Sequence, residues 1–401
     1  MTTTINNEHK KLNVPNLRFP EFQGEWEMCI LGDYGKVVTG NTPPTKDIEN
    51  YENGTYLWAS PADLSTIKLI SETKTKLSSK GFSKTRALPK GSVLVTCIGS
   101  TIGKTGMATK EMSTNQQINS IVVNDNNDNE FVYYAIQSAF PRYLSSIAVQ
   151  AVPIISKSAF EMLPNKRPCL QEQKKIGKFL SLLDERIATQ CKIIEDLKML
   201  KSAIIEKHYC KVEKQIACVG DLGEPFSVGN LAKDDLTETG IPCVIYGELF
   251  TTYGETISQI ESHTYKTEGI ILSKKGDLLF PSSTTVDAMS LIAPSVINMD
   301  GVILGGDMFG IHISPNFNAQ YLSYYFNHIA KRQLAKFAKG STIIHLHYAD
   351  IEKAKLLLPS LEEQNRMAKC LVTLDDKIKK ERTFFDLLNS QKAYLLCHMF
   401  I

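Results

Sequence analysis

The feature that most constrains this chain is a long internal repeat. The stretch PCLQEQKKIGKFLSLLDERI from Pro168 and the stretch PSLEEQNRMAKCLVTLDDKI from Pro359 align without a gap at a shift of 191 residues. Pro168, Leu170, Glu172, Gln173, Lys178, Leu180, Leu183, Asp184, Ile187 and Leu197 meet Pro359, Leu361, Glu363, Gln364, Lys369, Leu371, Leu374, Asp375, Ile378 and Leu388. Two amphipathic helices share apolar positions by chance. They do not readily share Pro-x-Leu-x-Glu-Gln and a Leu-Asp pair in register, so the repeat sets the architecture.

Each copy reads as one long helix that begins just after its proline, with Gly177 as the one later Gly or Pro in either copy. Apolar residues recur in steps of four and three: Ile176, Leu180, Leu183, Ile187, Ile194, Leu197 and Ile204, then Met367, Leu371, Leu374, Ile378, Phe385, Leu388 and Leu395. That is a coiled-coil seam, and each helix has room for about 40 residues, or roughly 60 Å. Two seam positions are polar in both copies, Gln190 with Lys201 and Glu381 with Lys392. For an antiparallel pair about a local pseudo-twofold, one register sets Lys201 opposite Glu381, Gln190 opposite Lys392, Ile194 opposite Leu388 and Leu197 opposite Phe385. A Lys–Glu contact there adds little net stability but opposes slippage. The alternative is two similar helices, each packed on its own domain.

The helices divide the chain into a head over residues 1–165, a helical spacer over 166–214, a second head over 215–357 and a second spacer over 358–401. Both heads hold short β-branched runs beside glycines, Gly91-Ser-Val-Leu-Val-Thr-Cys-Ile and Lys275-Gly-Asp-Leu-Leu-Phe, that read as strands. Helical stretches follow at Glu130–Ser145 and Ala319–Lys336, then the short apolar runs Val152-Pro-Ile-Ile and Thr342-Ile-Ile. The fold class is α+β: two heads, each followed by a long helix, with the two helices packing as an antiparallel coiled coil. Like spacers between unlike heads suit a device that presents two different surfaces at a fixed separation. On DNA these would meet two different half-sites about one helical turn, roughly 34–36 Å, apart. A duplicated coiled-coil scaffold that binds other proteins is the alternative.

Composition excludes several classes. The 401 residues suggest more than one domain, and no apolar run is long enough to span a bilayer. The polar stretch Met1–Lys11 lacks the apolar segment of a signal peptide, so a cytoplasmic protein is expected. Nine scattered cysteines include no CxxC pair, which speaks against a zinc ribbon and fits reduced thiols. The net charge of +2 is small for a free-standing DNA binder. A reader held on DNA by partners can leave phosphate neutralisation to them.

Several stretches resemble type I restriction–modification specificity subunits, and together they span nearly the whole chain. They are the opening Val14-Pro-Asn-Leu-Arg-Phe-Pro-Glu-Phe-x-Gly-x-Trp26, the run Leu88-Pro-x-Gly-x-Val-Leu-Val, then Gly99-Ser-Thr-Ile-Gly-Lys104, Asn115-Gln-Gln-Ile-Asn119, and the paired Pro-x-Leu-x-Glu-Gln helices. The resemblance implies two target-recognition domains, each contacting half of a split double-stranded DNA site. It implies helices that set the spacing and dock two modification (methyltransferase) subunits, and a restriction (translocase and nuclease) subunit that joins them. The adenine-N6 chemistry, S-adenosylmethionine, ATP and magnesium would then belong to partners, with no cofactor on this chain. The second half departs from the pattern, with Pro281-Ser282-Ser283-Thr-Thr where the first has Gly99–Lys104, and Ser282 and Ser283 are its candidate DNA contacts at that place.

No catalytic, cofactor or metal residue is assigned. Gly99–Thr105 has three residues between its glycines where a phosphate loop needs four; it reads as a turn that either offers Ser100, Thr101 and Lys104 to DNA or is purely structural. Asn41-Thr-Pro-Pro-Thr45 lacks the adjacency and the aromatic of an adenine-methyltransferase loop; in the family reading its Thr42, with Lys46, approaches DNA. His345-Leu-His347 lacks a third metal ligand and reads as a surface strand or a DNA-facing pair. Lys74, Lys76, Lys80, Lys84 and Arg86, interleaved with Ser and Thr, suit phosphate contacts or a solvated surface equally. Asn115, Gln116, Gln117, Tyr246 and Glu248 are candidate members of the recognition surface, with no base assigned to any.

Overall fold

The computed structural model describes residues 13–64, 68–146 and 154–401; Val152 and Pro153 of the run before the first long helix lie outside these. The chain forms two compact units: residues 1–191 with 383–401, and residues 192–382. Four helices carry the argument: α1 (Asn129–Ser146), α2 (Leu170–Lys211), α3 (Ala319–His328) and α4 (Leu361–Met399). Each unit is therefore one head with part of α2 and part of α4.

In the first unit a five-stranded sheet runs in the order Gly35–Thr39, Ile118–Val123, Val93–Thr96, Thr105–Ala108, Leu69–Ile70. A smaller sheet sets Tyr56–Ala59 between antiparallel Thr75–Leu77 and parallel Ser113–Thr114. The second unit repeats this plan: Gly223–Ser227, Met308–Ile313, Asp277–Pro281, Ser295–Ile297, Thr256–Ile257, and a second sheet in which Ile241–Ile245 lies between antiparallel Ser262–Thr264 and parallel Ile303–Gly305. Register agrees as well, Val93 facing Ile121 and Leu278 facing Ile311. The apolar β-branched runs are thus buried central strands, and the heads share one topology despite little shared sequence. α1 and α3 lay aromatic faces on the larger sheets, with Phe131 and Tyr134, or Tyr324 and Phe326, almost fully buried. α3 ends at His328, short of the expected Lys336. The amides of Ile329 and Ala330 both bond the Tyr325 carbonyl, which widens the last turn before a separate helix at Lys331–Leu334.

The motif glutamines explain why the long helices begin where they do. In the first unit Gln173, 1 % exposed, donates to the Pro168 carbonyl at 3.0 Å and accepts the Asp128 amide at 3.1 Å. In the second unit Gln364, 2 % exposed, donates to the Pro359 carbonyl at 2.9 Å and accepts the Asn318 amide at 3.0 Å. Asp128 and Asn318 in turn accept amides in the first turns of α1 and α3. One amide side chain therefore ties each long helix to the start of its head helix. Gly177 sits at this approach, where a Cβ would strike Asp128 and Glu130; its counterpart in the other copy is the small, buried Ala368.

The predicted seam residues are all buried or half-buried, with exposed residues between them. In the first unit α2 and α4 run antiparallel, sharing a core of Ile176, Leu180, Leu395 and Met399. In the second they do so again through Ile205, Met367 and Leu371. The predicted register is corrected. Lys201 meets Asp375 at 2.8 Å rather than Glu381, and Lys392 meets Asp184 at 2.7 Å rather than Gln190. Each partner lies six residues earlier than predicted, and Glu381 pairs with Lys377 of its own helix. Sliding an antiparallel pair by about two turns keeps apolar residues in the seam, so the pattern alone does not choose. The heads choose: the Tyr134 hydroxyl donates to Asp184 and the Tyr324 hydroxyl to Asp375, both at 2.6 Å.

Candidate nucleic-acid interface

In each head several segments cross from one sheet to the other at the same end, and the candidate residues gather there. In the first head Asn41 is the hub. Its amide nitrogen donates to the Lys84 carbonyl, its side-chain oxygen accepts the Arg86 amide, and its carbonyl accepts the Trp58 indole at 3.1 Å. Its backbone N–H bonds the Thr114 carbonyl. The Thr42 hydroxyl donates to Gln116 at 2.5 Å, so the Asn41–Lys46 loop, the Lys84–Arg86 segment and the Asn115–Gln117 crossover form one surface. Pro43 and Pro44 are pinned through their carbonyls by Tyr51 and Asn50.

Gly99–Lys104 joins this surface as the tip of a hairpin between Val93–Thr96 and Thr105–Ala108. The chain returns into a strand where a phosphate loop leads into a helix. The Cys97 amide bonds the Gln117 carbonyl, which sets the tip beside the crossover, with Ser100 and Lys104 exposed and Thr101 half-buried. Lys74 is exposed at the same end of the smaller sheet, its backbone held by Asp63. Lys76 lies within the strand and pairs with Glu72. Lys84 and Lys80 share Asp47, and their hydrogen bonds hold that carboxyl below its ordinary range. Lys46 is exposed.

Asn115 is a correction: it is 7 % exposed and its amide closes a turn on Gln117, leaving Gln116 as the exposed member of the trio. Glu248 is another. It is 8 % exposed, with one oxygen on the Ile245 amide and the other on the Ser262 hydroxyl, so the carboxylate is buried and turned to its own fold rather than to the surface.

In the second head the equivalent crossover is Gly305-Gly306-Asp307. The Tyr246 amide bonds the Gly305 carbonyl, the Ser282 amide bonds the Asp307 carbonyl, and the Leu346 amide bonds the Ser282 carbonyl. Tyr246, Ser282–Ser283 and His345–His347 are thereby brought together. Gly306 has φ of +89° and packs on the Tyr246 ring, a place that admits only glycine comfortably. Ser282 and Ser283, expected to contact DNA, are a further correction: they are buried, and the Ser282 backbone is spent on Asp307 and Leu346. The His345 and His347 rings lie parallel on one side, centroids 6.2 Å apart, with no group of metal-ligating residues among the described ones. Beside them Tyr246, Phe250, Thr284, Val286 and Lys331 line an open groove of about 740 Å³. Sequence reasoning missed Asn41 as organiser and the exposed carboxylate of Asp307. The equivalence of the two crossovers emerges only in the fold, where Asn41 and Gly229 donate equivalent backbone bonds to Thr114 and Leu304.

A family model for the type I restriction modification DNA specificity domain matches this chain twice, over residues 23–199 and 211–383. The chain belongs to that family. Each match takes in one head and most of the helix behind it. The chain is 25% identical over 397 residues to the type I restriction enzyme MjaVIII specificity subunit of Methanocaldococcus jannaschii, covering 91% of this chain and 89% of the relative. It is 23% identical to the MjaIX specificity subunit of the same organism, covering 84% of this chain and 83% of that one. The fold resembles the crystal structure of a type I restriction–modification S subunit from M. genitalium, with a TM-score of 0.63, 16% identity, and coverage of 97% and 99%. As a member of this family the chain carries two recognition domains, and the scaffold alternative is not favoured. No helix among the described residues is long and apolar enough to cross a membrane.

Proposed function

We propose that this chain is the DNA-reading, non-catalytic subunit of a type I restriction–modification complex in the cytoplasm. Its two heads recognise the unlike halves of a bipartite double-stranded site. The observation that carries this reading is the pair of equivalent crossovers on one topology: Asn115-Gln116-Gln117 in one head, Gly305-Gly306-Asp307 in the other. A shared scaffold with different side chains at one edge suits reading two sequences in one way. Gln116 has the donor–acceptor pair that matches adenine, whereas the Asp307 carboxylate only accepts, as cytosine N4 requires. Lys46, Lys74, Lys84 and Lys104, with Ser100 and Thr101, would position the first head on phosphates, and His345 and His347 the second. Two modification subunits dock on the long helices, where Leu182, Met199 and Leu387 stand more than half exposed. S-adenosylmethionine, ATP and magnesium belong to the modification and restriction partners.

Mapping of methylated adenines tests this in cells expressing the chain with its modification subunit. A split motif that disappears when the chain is omitted is expected; methylation unchanged without the chain would remove the role.

A further inference from the structure

Each unit contains the same three-residue junction. In the first, Asp184 accepts the Tyr134 hydroxyl on Oδ2 at 2.6 Å and the Lys392 ammonium on Oδ1 at 2.7 Å. In the second, Asp375 accepts Tyr324 on Oδ2 at 2.6 Å and Lys201 on Oδ1 at 2.8 Å. Each ammonium also lies over its tyrosine ring, 5.8 Å and 4.8 Å from the centroid. In both units the three residues come from three elements: the head helix, the long helix that follows that head, and the other long helix.

What surrounds the junctions is not the same. The Lys68 carbonyl bonds the Met107 amide and the Glu255 carbonyl bonds the Val296 amide at equivalent places in the two sheets. Lys68 donates to Glu130, Ser181 and the Tyr134 hydroxyl. Glu255 instead accepts from Lys201 and His328. A neighbour of opposite sign stands beside an unchanged Tyr–Asp–Lys set, so the set is what the two halves have in common.

We propose that these triads are positioning residues: each fixes the angle of its head on the paired long helices and thereby restricts which separation of half-sites the chain accepts. A partly buried ion pair offers little net stability over an apolar filler of equal size. Its worth is directional. The apolar seam tolerates a slide, whereas a carboxylate with one oxygen on a phenol and the other on an ammonium accepts one placement of three elements. The inference rests on the chain being a reader of split DNA sites.

The test uses the complete modification complex and duplexes carrying its mapped half-sites at the mapped spacing, or with one base pair added or removed. In the combined variant Tyr134→Phe, Asp184→Leu, Lys392→Met, methylation of the altered spacings relative to the mapped one should rise at least about tenfold. The half-site bases and the unfolding temperature should stay in place, and Lys392→Arg should keep the wild-type ratio. Tyr134→Phe alone, which removes one hydroxyl and preserves packing, should raise the ratio about threefold or more. An unchanged ratio in Tyr134→Phe and in the combined variant, or a lower unfolding temperature with an unchanged ratio, overturns the positioning role. Failure of the wild-type complex to methylate any of the duplexes would instead overturn the DNA-reading proposal beneath it.

Discussion

Gln173 has both ends of its amide engaged in a place that water does not reach. Replacing it with leucine leaves the Asp128 amide and the Pro168 carbonyl without these partners, at a cost of about 2 kcal/mol. Both tryptophans, Trp26 and Trp58, lie in the first unit, so their fluorescence reports that unit alone. Gln173→Leu should shift the fluorescence-detected urea transition to lower denaturant, while Gln364→Leu leaves it in place and moves only signals from the second unit. A second residue sets an acid limit. Burial alone would raise the Glu255 carboxyl, but the hydrogen bond with His328 and the charge and hydrogen bond of Lys201 outweigh it and lower the group from 4.5 to about 2. A carboxyl depressed on folding stabilises above its unfolded value and loses that contribution as pH falls through its folded value. The second unit should therefore weaken between about pH 4.5 and pH 2, by on the order of 3 kcal/mol. In Glu255→Gln this limb should flatten, which hydrogen exchange of the α3 amides measures.

The long helices were legible as elements because their evidence is local: a proline at the start, a repeat of threes and fours, and no breaker but Gly177. Their register was not. A seam pattern satisfies several slides equally, and the contacts that select one come from tyrosines far away in sequence. The corrected register has a direct check. Lys201→Glu places a third carboxylate beside Asp375 and Glu255, and Asp375→Lys should restore much of the lost stability, with a coupling of about 1–3 kcal/mol. Glu381→Lys should restore none. Equal rescue by both would return the pairing to the register that the sequence pattern suggested. The end of α3 shows the same limit on a smaller scale, since no glycine or proline marks the widened turn at Tyr325–Ala330.

For the whole chain, the two heads are expected to be interchangeable parts. Replacing residues 1–165 by the corresponding head of another family member should change one half of the methylated motif and leave the other half and the spacing intact; methylation mapping that finds both halves changed would reject modular reading. The repeat, the α+β class, the alternation of head and helix, and the resemblance to specificity subunits were all fixed by sequence, because periodicity and short motifs are written in neighbouring residues. Tertiary structure decided the rest. It showed that heads with little shared sequence have one topology, since strand order depends on burial and hydrogen bonding between distant segments. It withdrew Glu248 and Asn115 from the reading surface, because a polar side chain that looks available in sequence can be spent on its own backbone. It also brought Asn41, Lys84 and Gln116 to one edge, a proximity that exists only once the strands between them are folded.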